Sequence, residues 1–303
     1  MKKLSIIAVL LLAFQMYGQQ DPQYTQYMYN MNIINPAYAG SRENLSFGLL
    51  YRDQWTEIDG APETGTFFGH SPVGNNLGLG LSVIADRIGP VKETNVYADI
   101  SYTLKLGGDH NLAFGIKAGA TFHDINLSST NVDVIDPSDP FFGLGINETT
   151  PNIGAGFFYY TDKYYLSMSV PNLLESVHLD NSGLKLGSET QHYFFTGGYV
   201  FDLSPNTELK PSFMVKSSFD APTSFDMNVN ARFYKKFEIG ASYRLDDSFS
   251  GLINFALTPA LRIGYAYDAV TSDIKAYAPA SHEVMLLFDL NFPKRVSRSP
   301  RYF

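Results

Sequence analysis

Between about residue 44 and residue 291 the sequence repeats one pattern, in which runs of alternating apolar and polar residues are separated by turn residues. In residues 96–105, VYADISYTLK, the even positions carry V, A, I, Y and L and the odd positions carry Y, D, S, T and K. Successive side chains of a β-strand point to opposite faces, so this run predicts a strand with one apolar and one charged face. Strands of about ten residues with this pattern are typical of transmembrane β-barrels, which have lipid outside and water inside.

The turn residues divide this region into about fourteen predicted strands, an even number as in bacterial single-chain barrels. The predicted fold class is therefore all-β, a transmembrane antiparallel β-barrel over residues 44–292 with a periplasmic N-terminal segment. Long loops, typical of the extracellular end, are predicted at 54–63, 125–150, 171–190 and 269–280. The predicted strands are 44–53, 64–70, 76–86, 94–106, 111–124, 151–160, 163–170, 191–202, 207–218, 223–233, 236–245, 248–257, 260–268 and 281–291.

Two features depart from the ideal pattern. Four apolar residues fall on the nominally polar faces, namely Ile84, Leu252, Met285 and Leu287. Pro211 lies inside a predicted strand, and because proline cannot donate a ladder hydrogen bond it predicts a bulge or a rim position.

The polar faces are predicted to line the interior of the barrel with charges of both signs. Facing lipid, each Arg or Lys would cost ~2–4 kcal/mol near the midplane, whereas opposite charges inside a closed wall can pair. Barrels of about eight strands are filled by side chains, and barrels of about sixteen strands enclose an open channel. A barrel of fourteen strands lies between them, so the sequence is compatible with a narrow, a plugged or an open interior. The predicted interior charges are Arg52, Asp86, Asp99, Lys105, Lys117, Lys216, Asp226, Arg232, Glu238, Arg244, Arg262, Asp268, Glu283 and Asp289.

Two segments precede the predicted barrel. Residues 1–18, with a lysine pair, a short apolar run and small residues at the end, are typical of a secretory signal peptide cleaved after Gly18. Residues 19–43 are predicted to form an N-terminal periplasmic or plug-like segment. Tyr and Met recur there at helical spacing, and Asn35-Pro36 would end a short helix. This segment is expected either to pack against the base of the barrel or to enter its lumen.

A basic tail, residues 293–303, follows the last predicted strand of an otherwise acidic protein. The formal net charge is -8, and it becomes -10 when Lys2 and Lys3 leave with the signal peptide. An acidic chain without a basic face argues against nucleic acid as a partner. The tail is expected to be solvated in the periplasm or to contact proteins there.

The sequence contains little that indicates catalysis or metal binding. It has no cysteine, hence no thiolate metal site, and its six histidines have no metal-ligand spacing. No Gly-x-Ser-x-Gly motif marks a nucleophile, and the pair His123-Asp124 is interpreted as polar residues at a strand end. The acidic run 133–139 lacks the spacing of a calcium loop and is interpreted as solvated. We therefore expect no catalytic, cofactor or metal site, and no enzyme.

Several segments together resemble one protein family. They are QQDPQYTQY at 19–27, NPAYAG at 35–40, YRDQW at 51–55, GY at 198–199, SP at 204–205 and SHEVML at 281–286. With the signal peptide and the strand pattern, the chain resembles the PorP/SprF family of Bacteroidetes outer-membrane proteins, which is associated with type IX secretion and gliding motility. NPAYAG is the most specific of these segments.

The resemblance implies a non-catalytic outer-membrane barrel that works with the type IX secretion machinery. Such a barrel would retain or display a large secreted surface protein by binding the C-terminal sorting domain of that partner, at the long loops or in the mouth. The alternative function is an outer-membrane transport channel for small or hydrophobic solutes. An outer-membrane enzyme is a weaker third hypothesis.

Three aromatic residues are the candidate partner-binding residues. Trp55 is the only tryptophan and follows the first predicted strand. It is either an aromatic anchor at the membrane interface or a partner contact. Phe141 and Phe142 form an apolar pair in the loop 125–150, which suits an interface anchor or a loop packed over its own barrel.

Overall fold

The structure is a computed structural model, and it describes residues 23–42, 44–126, 145–174, 177–181, 184–188, 191–218 and 222–290. The predicted signal peptide and the basic tail lie outside the described residues, as do Phe141 and Phe142.

Strands dominate the described residues. In chain order they are β1 (Leu45–Asp53), β2 (Glu63–Val73), β3 (Leu77–Ile88), β4 (Val91–Gly107), β5 (His110–Asn126), β6 (Gly145–Tyr160), β7 (Tyr164–Val170), β8 (Val177–Asn181), β9 (Leu184–Ser188), β10 (Tyr193–Tyr199), β11 (Phe201–Ser204), β12 (Thr207–Ser217), β13 (Ser224–Phe233), β14 (Phe237–Arg244), β15 (Ser248–Ala256), β16 (Leu261–Val270) and β17 (Ala280–Leu290).

These strands form a closed antiparallel barrel. β1 pairs with both β2 and β17, and β10 pairs with both β7 and β12, so the sheet has no open edge at either position. β10 and β11 lie end to end along β12 and occupy one position, which makes the barrel fourteen-stranded. The predicted fold class is confirmed. The hairpin β8–β9 stands apart from this sheet, inside the predicted loop 171–190.

Pro211 explains why β10 and β11 are separate. The pairing of β10 with β12 ends at Gly198 opposite Ser212, and that of β11 begins at Phe201 opposite Leu209. Pro211 lies between these two partners and has no N–H to donate, so the ladder is interrupted at its position. The predicted irregularity at Pro211 is therefore a break in the neighbouring strand, which the sequence pattern reads as the single strand 191–202.

Side chains alternate between the two faces of the wall as the sequence predicts. Large apolar side chains on the outer face remain exposed, for example Ile116 at 60%, because this face meets lipid. The predicted interior charges are buried, with three exceptions: Asp86 and Asp289 are partly exposed, and Lys105 is exposed near the end of β4.

The two ends of the barrel differ in their connections. At one end, the short-turn end, all connections are brief, and β1 starts and β17 finishes there. The opposite end, the long-loop end, carries 54–62, 127–144, 171–192 and 271–279 together with the shorter connections 89–90, 218–223 and 245–247. Within the described part of the chain, no helix has the length and apolar character needed to cross a membrane.

The assignment of faces makes a depth-dependent prediction. Ile116 lies near the middle of β5 on the outer face, so Ile116→Lys should lower the free energy of unfolding by ~2–4 kcal/mol. Leu106→Lys, also on the outer face but near the short-turn end of β4, should cost only ~0–1 kcal/mol. Urea titration of the barrels refolded into vesicles measures both. Equal effects of the two substitutions would contradict the assignment.

Candidate functional site

The N-terminal segment occupies the interior of the barrel. In residues 23–42, which we call the plug, every residue from 24 to 39 is buried. The expected short helix is instead three single turns: a 3₁₀ turn at Tyr27–Tyr29, an α-helical turn at Met31–Ile34 and a second 3₁₀ turn at Pro36–Tyr38. Of the two placements expected for this segment, the structure has the one inside the lumen.

Three of the four apolar exceptions on the polar faces share a hydrophobic cluster with this plug, and the fourth, Leu252, is buried outside that cluster. Ile84, Met285 and Leu287 are buried in one hydrophobic cluster with plug residues that include Tyr27 and Met31. Their side chains point inward, as their positions in the alternation require, but they meet protein instead of water. Apolar residues on the inner face thus indicate that the interior is filled.

A buried charged cluster fixes the beginning of the plug near the long-loop end. Arg52 lies 2.7 Å from Asp268 and 3.2 Å from Glu283, measured from Nη1 to the nearest carboxylate oxygen. The main-chain N–H groups of Thr25 and Gln26 donate to the two oxygens of Glu283 at 2.9 and 2.8 Å. The Thr25 hydroxyl accepts from Arg52 at 3.1 Å and donates to Asp268 at 2.8 Å. Each of these buried charges is therefore neutralised or hydrogen-bonded.

A second ion pair lies beside this cluster. Arg244 donates from Nε and Nη2 to the two carboxylate oxygens of Asp226 at 2.8 and 2.9 Å, a bidentate arrangement. Its Nη1 also donates to the side-chain oxygen of Gln23 at 2.9 Å. The first described residue of the plug is therefore bonded to the last residue of β14.

Farther along the plug, Tyr29 joins a third charged group. Lys210 and Arg262 lie 2.8 and 3.4 Å from the two carboxylate oxygens of Glu238. The Tyr29 hydroxyl donates to Glu238 and accepts from the Asn254 amide at 3.1 Å. Two cations and a phenol therefore surround one buried carboxylate.

Lys117 holds the middle of the plug through its main chain. The Lys117 ammonium donates to the carbonyl oxygens of Ile33 and Asn32 at 2.9 and 3.3 Å, and lies 3.5 Å from a carboxylate oxygen of Asp99. Asp99 also accepts from the Asn32 amide at 3.1 Å. These contacts satisfy carbonyl groups that such short helical turns leave without partners.

The NPAYAG segment lies against glycines of the wall. An added Cβ at Gly115 would lie 2.2 Å from the Ala37 nitrogen, and one at Gly78 would lie 2.0 Å from the Ala39 oxygen. Residue 40 has a φ of 76° and is itself glycine, as this conformation favours. These two glycines of the wall therefore leave room for the main chain of the plug.

Asn35 links this segment to β6 and β7. Its side-chain amide donates to the Phe157 carbonyl at 2.9 Å and to the Ser167 hydroxyl at 2.6 Å, while its oxygen accepts from the Ala37 N–H at 2.8 Å. The last of these bonds caps the 3₁₀ turn that Pro36 begins. Asn35 therefore both starts a turn and joins it to the wall.

Little space remains beside the described part of the plug at its start. The cavity between Gln23, Tyr24 and strands β12–β14 has a volume of about 10 Å³, comparable to one water molecule. The packing and hydrogen bonds described above hold the plug against the inner face of the wall.

Trp55 lies at the long-loop end, where it is half-buried in the loop 54–62. The main-chain N–H of Trp55 donates to the Ser281 hydroxyl at 3.1 Å, and the main-chain N–H of Thr56 donates to the Ala280 carbonyl at 3.2 Å. Trp55 has a φ of 56°, an uncommon conformation for a residue other than glycine. These bonds tie the loop 54–62 to the start of β17, directly after the loop 271–279.

Tyr277, which the sequence analysis did not select, is the most exposed large apolar or aromatic side chain described at the long-loop end, at 74%. It follows a 3₁₀ turn at Asp273–Ala276 in the loop 271–279. The sequence places it in the predicted loop 269–280, but in a chain with 20 tyrosines its composition gives no reason to select it.

The remaining candidate groups do not assemble into a reactive site. His123 and Asp124 are neighbours on β5 and therefore point to opposite faces. Inside the wall, a ring nitrogen of His123 lies 3.6 Å from Glu93. Among the residues that the structure describes, no group of three or more His, Asp or Glu is arranged to hold a metal ion, and the acidic run 133–139 lies outside them.

The closed fourteen-stranded barrel and its lipid-facing wall define the class of the protein, a β-barrel of the outer-membrane type. The family described as type IX secretion system membrane protein PorP/SprF matches residues 16–288, and the chain belongs to this family. The predicted resemblance is confirmed. The family description names a membrane protein of a secretion system and no enzymatic activity.

Solved structures of other barrels share the fold at low sequence identity. The CymD monoaromatic hydrocarbon channel is 12% identical with a TM-score of 0.53, over 89% of this chain and 93% of that chain. The Ralstonia pickettii toluene transporter TbuX is 10% identical with a TM-score of 0.51, over 85% and 92%. The P. putida toluene transporter TodX is 9% identical with a TM-score of 0.50, over 88% and 95%. No curated protein matches the chain.

The charged cluster predicts a large effect of removing its cation. Arg52→Met should lower the free energy of unfolding by ~3–5 kcal/mol, because Asp268 and Glu283 would stay buried without their shared partner. Arg87→Met changes an exposed arginine of β3 and should change stability by less than about 0.5 kcal/mol. Denaturant titration in vesicles compares the two. If Arg52→Met lowered the free energy of unfolding as little as Arg87→Met does, the charged cluster would not contribute to stability.

The glycine contact predicts a similar contrast. Gly115→Ala places a methyl group against the main chain of Ala37 and should cost about 1–3 kcal/mol through overpacking. At Gly251 an added Cβ meets nothing within 4 Å, so Gly251→Ala should be tolerated. Limited proteolysis should cleave the plug faster only in Gly115→Ala. If both variants match the wild type, the plug is not held against this wall.

Proposed function

We propose that this protein is a non-catalytic outer-membrane barrel that holds a large secreted surface protein at its long-loop end, by binding the C-terminal sorting domain of that partner. The observation that carries the proposal is the plug, which lies inside the barrel and is held there by buried ion pairs and main-chain hydrogen bonds. A barrel plugged in this way is suited to present a rigid surface. Its family membership supports a role in type IX secretion.

The orientation follows from the connections. Long loops of bacterial barrels face the cell exterior and short turns face the periplasm, so the partner meets the loops 54–62 and 271–279. The basic tail and the short turns then face the periplasmic part of the secretion machinery. Export through a signal peptide cleaved after Gly18 completes this arrangement.

The partner surface is centred on aromatic side chains. Trp55 lies in a loop that is hydrogen-bonded to the start of β17, directly after the loop that contains Tyr277. Phe141 and Phe142 belong to the loop 125–150. Aromatic residues at the centre of an interface commonly carry much of its binding energy. Since the loop 54–62 is tied to β17, it loses little conformational freedom on binding.

The experiment is recovery of the partner from native outer membranes in mild detergent, followed by titration with the isolated C-terminal domain of that partner. Trp55→Ala and Tyr277→Ala should each weaken binding by about 2 kcal/mol, roughly thirtyfold, and Trp55→Phe should keep most of the affinity. The same measurement applies to Phe141→Ala and Phe142→Ala. Tyr234→Ala removes an equally exposed tyrosine, 70% against 74%, at the short-turn end and should have no effect.

Two outcomes would contradict the proposal. One is recovery of the barrel without a large secreted protein. The other is ion conductance of the wild-type barrel in planar bilayers, which the plugged interior should prevent and which would favour the transport alternative.

A further inference from the structure

We propose that a groove in the outer face of the wall binds an acyl chain of a membrane phospholipid. The groove lies beside the break between β10 and β11 and has a volume of about 650 Å³, within the range of about 300–1,000 Å³ that is common for small-molecule sites. The inference rests on the lipid-facing wall and is independent of the proposed function.

The groove exists because small residues interrupt the large side chains of the outer face. On β10 the outer face carries Phe195 and Tyr199, which are exposed, and between them Gly197, which has no side chain. By the register of the two pairings, Tyr199 faces Pro211 of β12 across the break. Pro211 adds only its short ring to this face. The irregularity of the ladder thus coincides with a depression in the outer surface.

Large side chains that contact one another form the sides of the groove. The rings of Tyr164 and Tyr199 stack with their centroids 6.1 Å apart and their planes at 3°. Leu166 and Phe213 lie over Gly197 so closely that an added Cβ there would be 3.0 and 2.7 Å from their side chains. The sides are therefore aromatic and aliphatic, and their positions are fixed by packing within the wall.

The plug supports the groove from the inner face. Ser212 and Asn228 also border the groove, and both side chains are hydrogen-bonded inside the barrel to Tyr27. The Tyr27 hydroxyl donates to the Ser212 hydroxyl at 3.4 Å and accepts from the Asn228 amide at 3.2 Å. Tyr27 itself is only 1% exposed. A molecule in the groove therefore packs against a wall that has protein behind it.

The position of the groove identifies its occupant. Ser212 is the central residue of the eleven in β12, so the groove lies within the hydrocarbon core, which is about 30 Å thick. The side chains that border it on the neighbouring strands are apolar and exposed, Leu166 at 42% and Met227 at 55%. Lipid acyl chains surround the wall at this depth.

Packing contacts distinguish the groove from the rest of the lipid-facing wall. Inside a bilayer, association is driven by van der Waals contacts, because lipid chains are as apolar as the side chains they meet. A chain that lies in a groove has protein atoms on several sides, whereas a chain on the convex wall has them on one side. The groove should therefore hold an acyl chain in preference to the surrounding wall.

The test uses a phosphatidylcholine that carries a photoactivatable diazirine in the middle of one acyl chain. The full barrel is refolded into dioleoylphosphatidylcholine vesicles that contain a small fraction of this probe, irradiated, and mapped by mass spectrometry. We expect Tyr199 and Met227 to carry about fivefold more label than Ile239, which corresponds to ~1 kcal/mol of preference. Ile239 lies on the outer face of β14, outside the groove, and is 46% exposed.

Matched variants place the same large side chain inside and outside the groove. Met227→Trp and Leu166→Trp fill it from opposite sides, and each should abolish the excess label on Tyr199. Met168→Trp changes another exposed methionine of the outer face, which does not border the groove, and should leave the excess unchanged. A phosphatidylglycerol probe with the same chain should give the same excess, because the chain is the part that is bound.

Several outcomes would overturn the proposal. Equal labelling of the groove and of Ile239 in the wild type would show bulk lipid contact only, and an excess that survives both groove-filling variants would locate the chain elsewhere. An excess with only one of the two headgroups would make the headgroup the recognised part. Loss of label together with barrel-to-barrel crosslinks, as the ratio of protein to lipid rises, would identify a second copy of the chain as the occupant.

Discussion

The structure depends on how charges are neutralised inside a closed wall. Removing an ion from water costs several kcal/mol unless a partner replaces the lost hydration. The strands supply part of the answer by pairing Arg52 with Asp268 and Glu283, and the plug supplies the rest through the main-chain N–H groups of Thr25 and Gln26. The dependence is mutual. The plug has only three short turns, so most of its main-chain groups need partners from the wall.

The same dependence gives the NPAYAG segment a physical meaning. Its main chain approaches the wall so closely that Gly78 and Gly115 leave no room for a side chain. Asn35 replaces missing main-chain bonds by joining β6 and β7 to the turn that follows it. The segment on which the resemblance to the family depended most is therefore closely confined by the wall.

The fold was predictable because its signal is local. An alternation of period two indicates a strand wherever it occurs, and it separated the charged inner face from the apolar outer face over most of the chain. The break at Pro211 was visible as an irregularity, although its effect on the neighbouring strand was not. The hairpin β8–β9 was missed because each of its strands has only five residues, about half the length expected of a transmembrane strand.

The interior was less predictable because its contacts join distant parts of the chain. Thr25 and Glu283 are separated by 258 residues, and no local pattern gives the register that brings them together. Ile84 and Met285 were the available sign that protein occupies the interior, because apolar side chains on the inner face of a water-filled barrel would be exposed to water. For the proposed partner surface, Trp55 could be selected from the sequence because it is the only tryptophan, whereas Tyr277 could be selected only from its exposure in the structure.

The contact between the plug and Glu283 also bears on how the molecule is assembled. Arg52 and Glu283 are direct partners across the seam where β1, the first strand, meets β17, the last. The plug precedes every strand in the chain, yet its anchoring carboxylate arrives only with the final one. Closure of the seam therefore brings Glu283 to the main-chain donors of the plug, and a barrel that closes without its plug leaves the charges of its own seam without those donors.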